Sequence, residues 1–167
     1  AIDFLETKLI EESQDDYERM RLSGIVGTLY RILGELDMAE EHINSAIAAS
    51  NNLRDRRAQL ENLLRLAYVY QVREQYDLAD RIYKQVIEAC EVSRDATNPV
   101  NRNPFKNDLD LAYQYYGKCL YDQGDFFNAL HMFEKALRIR TQKGDPVEIA
   151  STEHAIKITQ QKLVVRN

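Results

Sequence analysis

The sequence predicts an all-α solenoid of stacked antiparallel helical hairpins closed by one further helix, and three observations carry that prediction. A spacing of small and bulky residues recurs three times, as Gly27, Tyr30, Gly34, Leu36, Ala39, Ile43 and Ala46, then Ala67, Tyr70, Glu74, Tyr76, Ala79, Tyr83 and Val86, then Gly117, Leu120, Gly124, Phe126, Ala129, Phe133 and Ala136. The small residue always stands twelve places before an alanine, and a bulky residue four places after it. Composition agrees: 167 residues with 44% hydrophobic and 29% charged side chains make a globular chain of one domain's length. Cap and turn residues fall where paired helices need them. A single hairpin of this kind cannot bury its apolar face alone, so the copies must stack.

Taken in order, residues 1–13 form half a hairpin. Ala1 and Leu5 occupy the places of a second-helix alanine and bulky residue, with Lys8 where a small one is expected. The missing initial methionine fits either a processed or trimmed chain or, as expected here, a segment of a longer repeat array. Repeat 1 spans 14–53 and repeat 2 spans 54–95. Asp37 with Glu40 has the spacing of a capping box for the second helix of repeat 1, and Asp77 with Asp80 gives repeat 2 an acidic first turn. Residues 96–108 form a loop insertion, because Asn98-Pro99 and Asn103-Pro104 disfavour helix. It carries Arg102, Phe105 and Lys106, which either fold over a groove edge or decorate a tolerated insertion. Repeat 3 covers 109–143. Gly144 then stops one helix, Asp145 caps the next, Pro146 suits its first turn and Glu148 completes the box. The last helix, 145–165, has an apolar stripe of Ile149, Ile156 and Leu163 flanked by Ala155 and Val164, and covers the core of the preceding repeat.

These motifs resemble the tetratricopeptide (TPR) repeat, in which a small residue and an aromatic on the first helix meet alanine and a large apolar residue on the second. The resemblance covers roughly residues 14 to 164 and implies a right-handed superhelix. Leu120 departs from the aromatic place, and Ser23, Leu63 and Tyr113 stand where tryptophan is often found. Ala39 and Ala79 are 40 residues apart and Ala79 and Ala129 are 50, against about 34 in the standard unit. Longer helices, as in the variety resembling kinesin light chain and bacterial peptide-sensing regulators, account for the first excess.

Chemistry is sparse. His42, His131 and His154 are isolated, the cysteines form no CxxC pair, and no phosphate-binding glycine loop or GxSxG elbow occurs, so neither a metal, a cofactor nor a catalytic activity is expected. Adjacent acidic pairs such as Glu11-Glu12 and Glu40-Glu41 diverge by about 100° on a helix and read as solvated charge. Cys90 and Cys119 are expected reduced, in a cytoplasmic protein. The net charge of −5 argues against nucleic acid, and Arg54, Arg56 and Arg57, interrupted by Asp55, read as a solvated helix start. No apolar run is long enough to cross a membrane.

The resemblance implies a concave face lined by the first helix of each hairpin. Carried over residue by residue, that face comprises Arg21, Gly24, Thr28 and Arg31, then Glu61, Leu64, Arg65, Tyr68 and Gln71, then Leu111, Gln114, Tyr115, Lys118, Tyr121 and Asp122. Tyrosines there offer rigid amphipathic area and the cations can take carboxylates or carbonyls, so an extended acidic or mixed peptide is the expected ligand. The Lys, Asn and Arg clamp of repeats that hold chaperone tails is absent, since Gly24, Thr28, Leu111 and Tyr115 occupy the matching places. Function is thus expected to be a non-catalytic protein- or peptide-binding module of a larger scaffold or regulator. The alternatives are a sensory domain for a signalling peptide and a self-association unit forming a homodimer.

Overall fold

The computed structural model describes residues 2, 4, 6, 7, 15–92 and 109–165. Among them are seven helices and no strand: α1 (Asp16–Leu33), α2 (Leu36–Asn52), α3 (Arg56–Val72), α4 (Tyr76–Val92), α5 (Leu109–Asp122), α6 (Phe126–Lys143) and α7 (Pro146–Val165). Ile2, Phe4, Glu6 and Thr7 are also helical. The loop expected at 96–108, and most of the half-hairpin expected at 1–13, lie outside the described residues. The chain divides into two compact units, Ala1–Ile82 and Tyr83–Asn167.

Each hairpin turns in the same way. The place seven residues after the small one is left-handed in all three copies, at Gly34 (φ 83°), Glu74 (φ 58°) and Gly124 (φ 79°). The next amide then reaches back to the carbonyl of the aromatic place: Glu35 to Tyr30 at 3.0 Å, Gln75 to Tyr70 at 2.9 Å and Asp125 to Leu120 at 2.9 Å. These bonds satisfy carbonyls that a helix end leaves open. Glycine adopts that backbone freely, so only Glu74 does so against its own sterics. Aspartates start four of the described helices, with side chains of Asp15, Asp55, Asp125 and Asp145 accepting from first-turn amides.

Inside the first unit, Ala39, Ile43, Leu66 and Val69 form a buried cluster with Tyr30, Leu36, Ile47, Tyr70 and Ile82 packed on it. The repeat residues are spent here. Gly27 lies against α2 so closely that a Cβ on it would stand 2.6 Å from Ile43 Cγ1 and 2.9 Å from the Ala39 carbonyl. In the second unit Gly117 meets Phe133 in the same way, at 2.7 Å. Full burial of Ile43, Val69 and Phe133 stabilises by about 1.5–3 kcal/mol each.

Two expectations need correction. The capping box at Asp37 and Glu40 does not form: Glu35 is the cap residue of α2 and makes no side-chain cap bond, while Asp37 and Glu40 turn to Arg73 of α3. The final helix does follow Gly144 (φ 80°) and its Asp145 cap, but Glu148 turns to Arg140, 3.8 Å away, and the residues α7 buries are Thr152, Ala155 and Thr159. Ile149, Ile156 and Leu163 flank that seam, half-buried. Small threonines let α7 approach closely, and each hydroxyl is satisfied by the carbonyl one turn earlier, Thr152 by Glu148 at 2.9 Å and Thr159 by Ala155 at 2.7 Å.

Candidate functional site

On the first unit, the predicted lining residues of α1 recur every three or four places, so Arg21, Gly24, Thr28 and Arg31 share one face of the helix. Arg21 is exposed. Thr28 turns inward on its own helix, its hydroxyl donating to the Gly24 carbonyl at 2.9 Å. Arg31 reaches across to α3 and lays its guanidinium 4.2 Å from the centre of the Tyr68 ring. Arg65, one turn before Tyr68, donates through Nη1 to Asn62 Oδ1 at 2.6 Å. Its guanidinium lies against α1, because a Cβ on Gly24 would come within 2.9 Å of Nη1 and 2.6 Å of the Asn62 oxygen. Gln71 is 5% exposed and belongs to the interior.

The second unit presents α5. Tyr115 is half-buried and the exposed Lys118 places its ammonium 5.7 Å from that ring. Tyr121 packs on Phe126 with ring centres 5.1 Å apart, and Asp122 is exposed. Gln114 is 4% exposed, and neither its amide nitrogen nor its amide oxygen meets a hydrogen-bond partner among the described residues.

Charge is disposed unevenly. Four arginines away from the α1–α3 face are held by carboxylates: Arg19 by Asp16, Arg57 by Glu61, Arg73 by Asp37 and Glu40, Arg140 by Asp110. Among the described residues no carboxylate lies within ion-pair distance of Arg21, Arg31 or Arg65. Arg56, at the solvated helix start, bonds Gln59 at 3.0 Å.

The tyrosines of the repeat also carry polar links that spacing does not reveal. Tyr70 donates to Glu40 Oε1 at 2.6 Å, and Tyr30 donates to Glu6 Oε1 at 2.7 Å while stacking on His42, whose Nε2 lies 3.1 Å from the same oxygen. Burial and the bond to the Glu40 carboxylate push the Tyr70 hydroxyl up to about 12. Burial works to raise Glu40, but hydrogen bonds from Tyr70 and Arg73 and the Arg73 charge outweigh it and hold the carboxyl below its ordinary value. Among the described residues no group of three metal-ligating side chains occurs, and no helix is long and apolar enough to cross a membrane.

Known solved structures superpose on nearly the whole of this chain. BtubC (BKLC) from P. vanneervenii superposes with a TM-score of 0.70 at 20% identity, over 96% of this chain and 63% of that one. A putative kinesin light chain of Podosopora anserina with nearly identical TPR-like repeats superposes with a TM-score of 0.67 at 14% identity, over 99% of this chain and 78% of that one. A variant of it with one glutamine replaced by methionine gives 0.69 over the same spans. The fold is TPR-like. This chain spans less than two thirds of the BtubC chain it resembles. No protein-family model matches the sequence, and no curated protein matches it.

Sequence reasoning missed the partners that hold the site together. Asn62 and the buried Ser50 orient Arg65, since Asn62 Nδ2 donates to Ser50 Oγ at 3.4 Å and Ser50 donates to the Ala46 carbonyl at 2.6 Å. Asn62 precedes Arg65 by three residues, a spacing that pairs side chains on a helix and was legible in principle.

Proposed function

We propose that this TPR-like chain is a non-catalytic protein- or peptide-binding module, working within a larger scaffold or regulatory protein, whose ligand lies along the first helices of its hairpins. One observation carries the reading: the Arg31–Tyr68 stack at 4.2 Å, on a helix face whose arginines have no carboxylate partner among the described residues. A cation held on an aromatic ring keeps its charge while its side chain is already ordered, and ordering is a large part of what binding costs. Lys118 beside Tyr115 repeats the combination in the second unit. Such faces suit an extended peptide carrying acidic groups. The likeness to TPR-like proteins supports a surface for protein contacts.

The test is a partner isolated by affinity capture and then measured against a variant with Tyr68, Lys118 and Tyr121 all changed to alanine. Binding should fall by about tenfold or more with the melting temperature little changed, since each side chain is at most half-buried. Undiminished binding by the triple variant refutes the reading.

A further inference from the structure

Arg65 differs from the paired arginines of this protein in how it is held. A buried neutral chain fixes it: Ser50, 1% exposed, meets Asn62, 2% exposed, and the Asn62 carboxamide oxygen takes Arg65 Nη1 at 2.6 Å. Arg73 and Arg140 are oriented just as firmly, but by carboxylates that cancel their charge. An amide acceptor fixes the guanidinium without neutralising it. Gly24 is part of the same device, because any side chain there would collide with both Asn62 and Arg65. Arg21 stands one turn before Gly24 on the same face of α1, so its Cβ is about 5–6 Å from the spot Arg65 covers. Arg31 stands two turns beyond Gly24, about 10 Å along the axis. Glu61, a turn before Arg65, is engaged by Arg57 at 3.3 Å.

We propose that Arg65 and Arg21, over Gly24, form a subsite for a phosphoryl group, a phosphoserine or phosphothreonine within an extended peptide, with Arg31 on Tyr68 as the adjoining platform. This rests on the groove reading above and goes beyond it by naming the ligand's anchoring group. A carboxylate supplies one negative charge and two acceptor oxygens, which a single guanidinium fork can engage side by side. A phosphoryl group supplies roughly 1.5 to 2 negative charges at neutral pH and three acceptor oxygens, which match two guanidinium forks approaching from different helices. The net charge of −5 makes an uncompensated cluster of this sign stand out, and electrostatic repulsion from the rest of the surface disfavours non-specific polyanions.

Three labelled oriented peptide libraries distinguish the possibilities, each with degenerate flanks around a fixed central phosphoserine, glutamate or serine, titrated against the full chain by fluorescence anisotropy. The phosphoserine library should bind about tenfold or more tighter than the serine library and several-fold tighter than the glutamate library. Arg65→Lys should remove most of that preference, because an ammonium lacks the planar fork. Arg21→Ala, at an exposed position, should remove part of it with an unchanged melting temperature. Equal binding of the glutamate and phosphoserine libraries overturns the phosphoryl assignment and leaves the groove reading standing. A phosphoserine preference untouched by both variants also overturns the assignment. Failure of all three libraries to bind overturns both readings.

Discussion

Eleven places after the repeat alanine, the first unit carries Ser50 and the second carries Arg140. Both are buried, and both meet a residue twelve places further on, Asn62 and Thr152 respectively. In the first unit the result is a neutral chain that ends in a guanidinium without a counter-charge. In the second, Arg140 donates to Asp110 Oδ2 at 3.1 Å, to Thr152 Oγ1 at 2.8 Å and to the Glu148 carbonyl at 3.2 Å, and Lys143 closes on the other Asp110 oxygen. One repeat position has thus been used once to present charge and once to lock it away. The buried cluster ties α5, α6 and α7 together, which suits a terminal helix that buries only Thr152, Ala155 and Thr159 among its described residues. Equivalent places in a repeat therefore share backbone geometry while their side chains build different polar networks.

The largest way to break this contrast is Asp110→Ala. It leaves Arg140, 4% exposed, buried without that anion, and should destabilise by about 3–5 kcal/mol in urea unfolding followed through the second unit. Pairing it with Arg140→Met should recover most of that loss, whereas no recovery would mean the cluster acts through shape and not charge.

Next in size is Gly27→Ala, where the new methyl meets the Ala39 backbone carbonyl as well as Ile43. A net loss of about 1–3 kcal/mol is expected despite alanine's better helix propensity. Gly117→Ala has its nearest contacts with the Phe133 ring, a side chain and not backbone, and should cost less than Gly27→Ala in the same assay. The reverse order would show that the hairpin of the second unit is the tighter one.

Titration sharpens the first unit. Tyr70 is raised from 10.0 to about 12 in the folded state, so its contribution is complete below pH 10 and is lost as pH climbs toward 12. Glu40 is lowered from 4.5, so its contribution is present above pH 4.5 and is lost as pH falls through the depressed value. Tyr70→Phe should cost about 1 kcal/mol at neutral pH and flatten the alkaline limb of stability between pH 10 and 12. An unchanged alkaline limb would place that titration elsewhere.

The smallest effect has the opposite sign. Gln114 buries two amide atoms with no partner among the described residues, so Gln114→Leu should stabilise the second unit by about 1 kcal/mol. A loss of stability would reveal a bond that this face depends on.

Much of the fold was legible because it rests on local spacing. The sites of helix contact at Gly27 and Gly117, the stop at Gly144 and the Asp145 cap all follow from nearby residues, whereas the caps at Asp15, Asp55 and Asp125 were not singled out by spacing. The site was legible in outline only. Asp37 and Glu40 read as a cap because their spacing is local, yet their partner Arg73 stands 36 and 33 residues away. No periodicity reports a pairing across that distance. Gln71 and Gln114 read as lining residues by register, but the structure buries both.

What the sequence determined by itself is the hairpin: which residues turn, which approach closely and how often the unit repeats, since these depend on backbone sterics and the 3.6-residue period. Only the tertiary structure decided which charges are spent. Arg65 and Arg140 are both arginines on repeat helices, and local spacing does not show that one meets a carboxylate and the other does not. One lies against Gly24 of a neighbouring helix with the Asn62 amide of its own helix for a partner, the other sits among Asp110, Thr152 and Glu148 brought in from other helices. Electrostatic fate depends on what lies across the contact, and that is a property of packing.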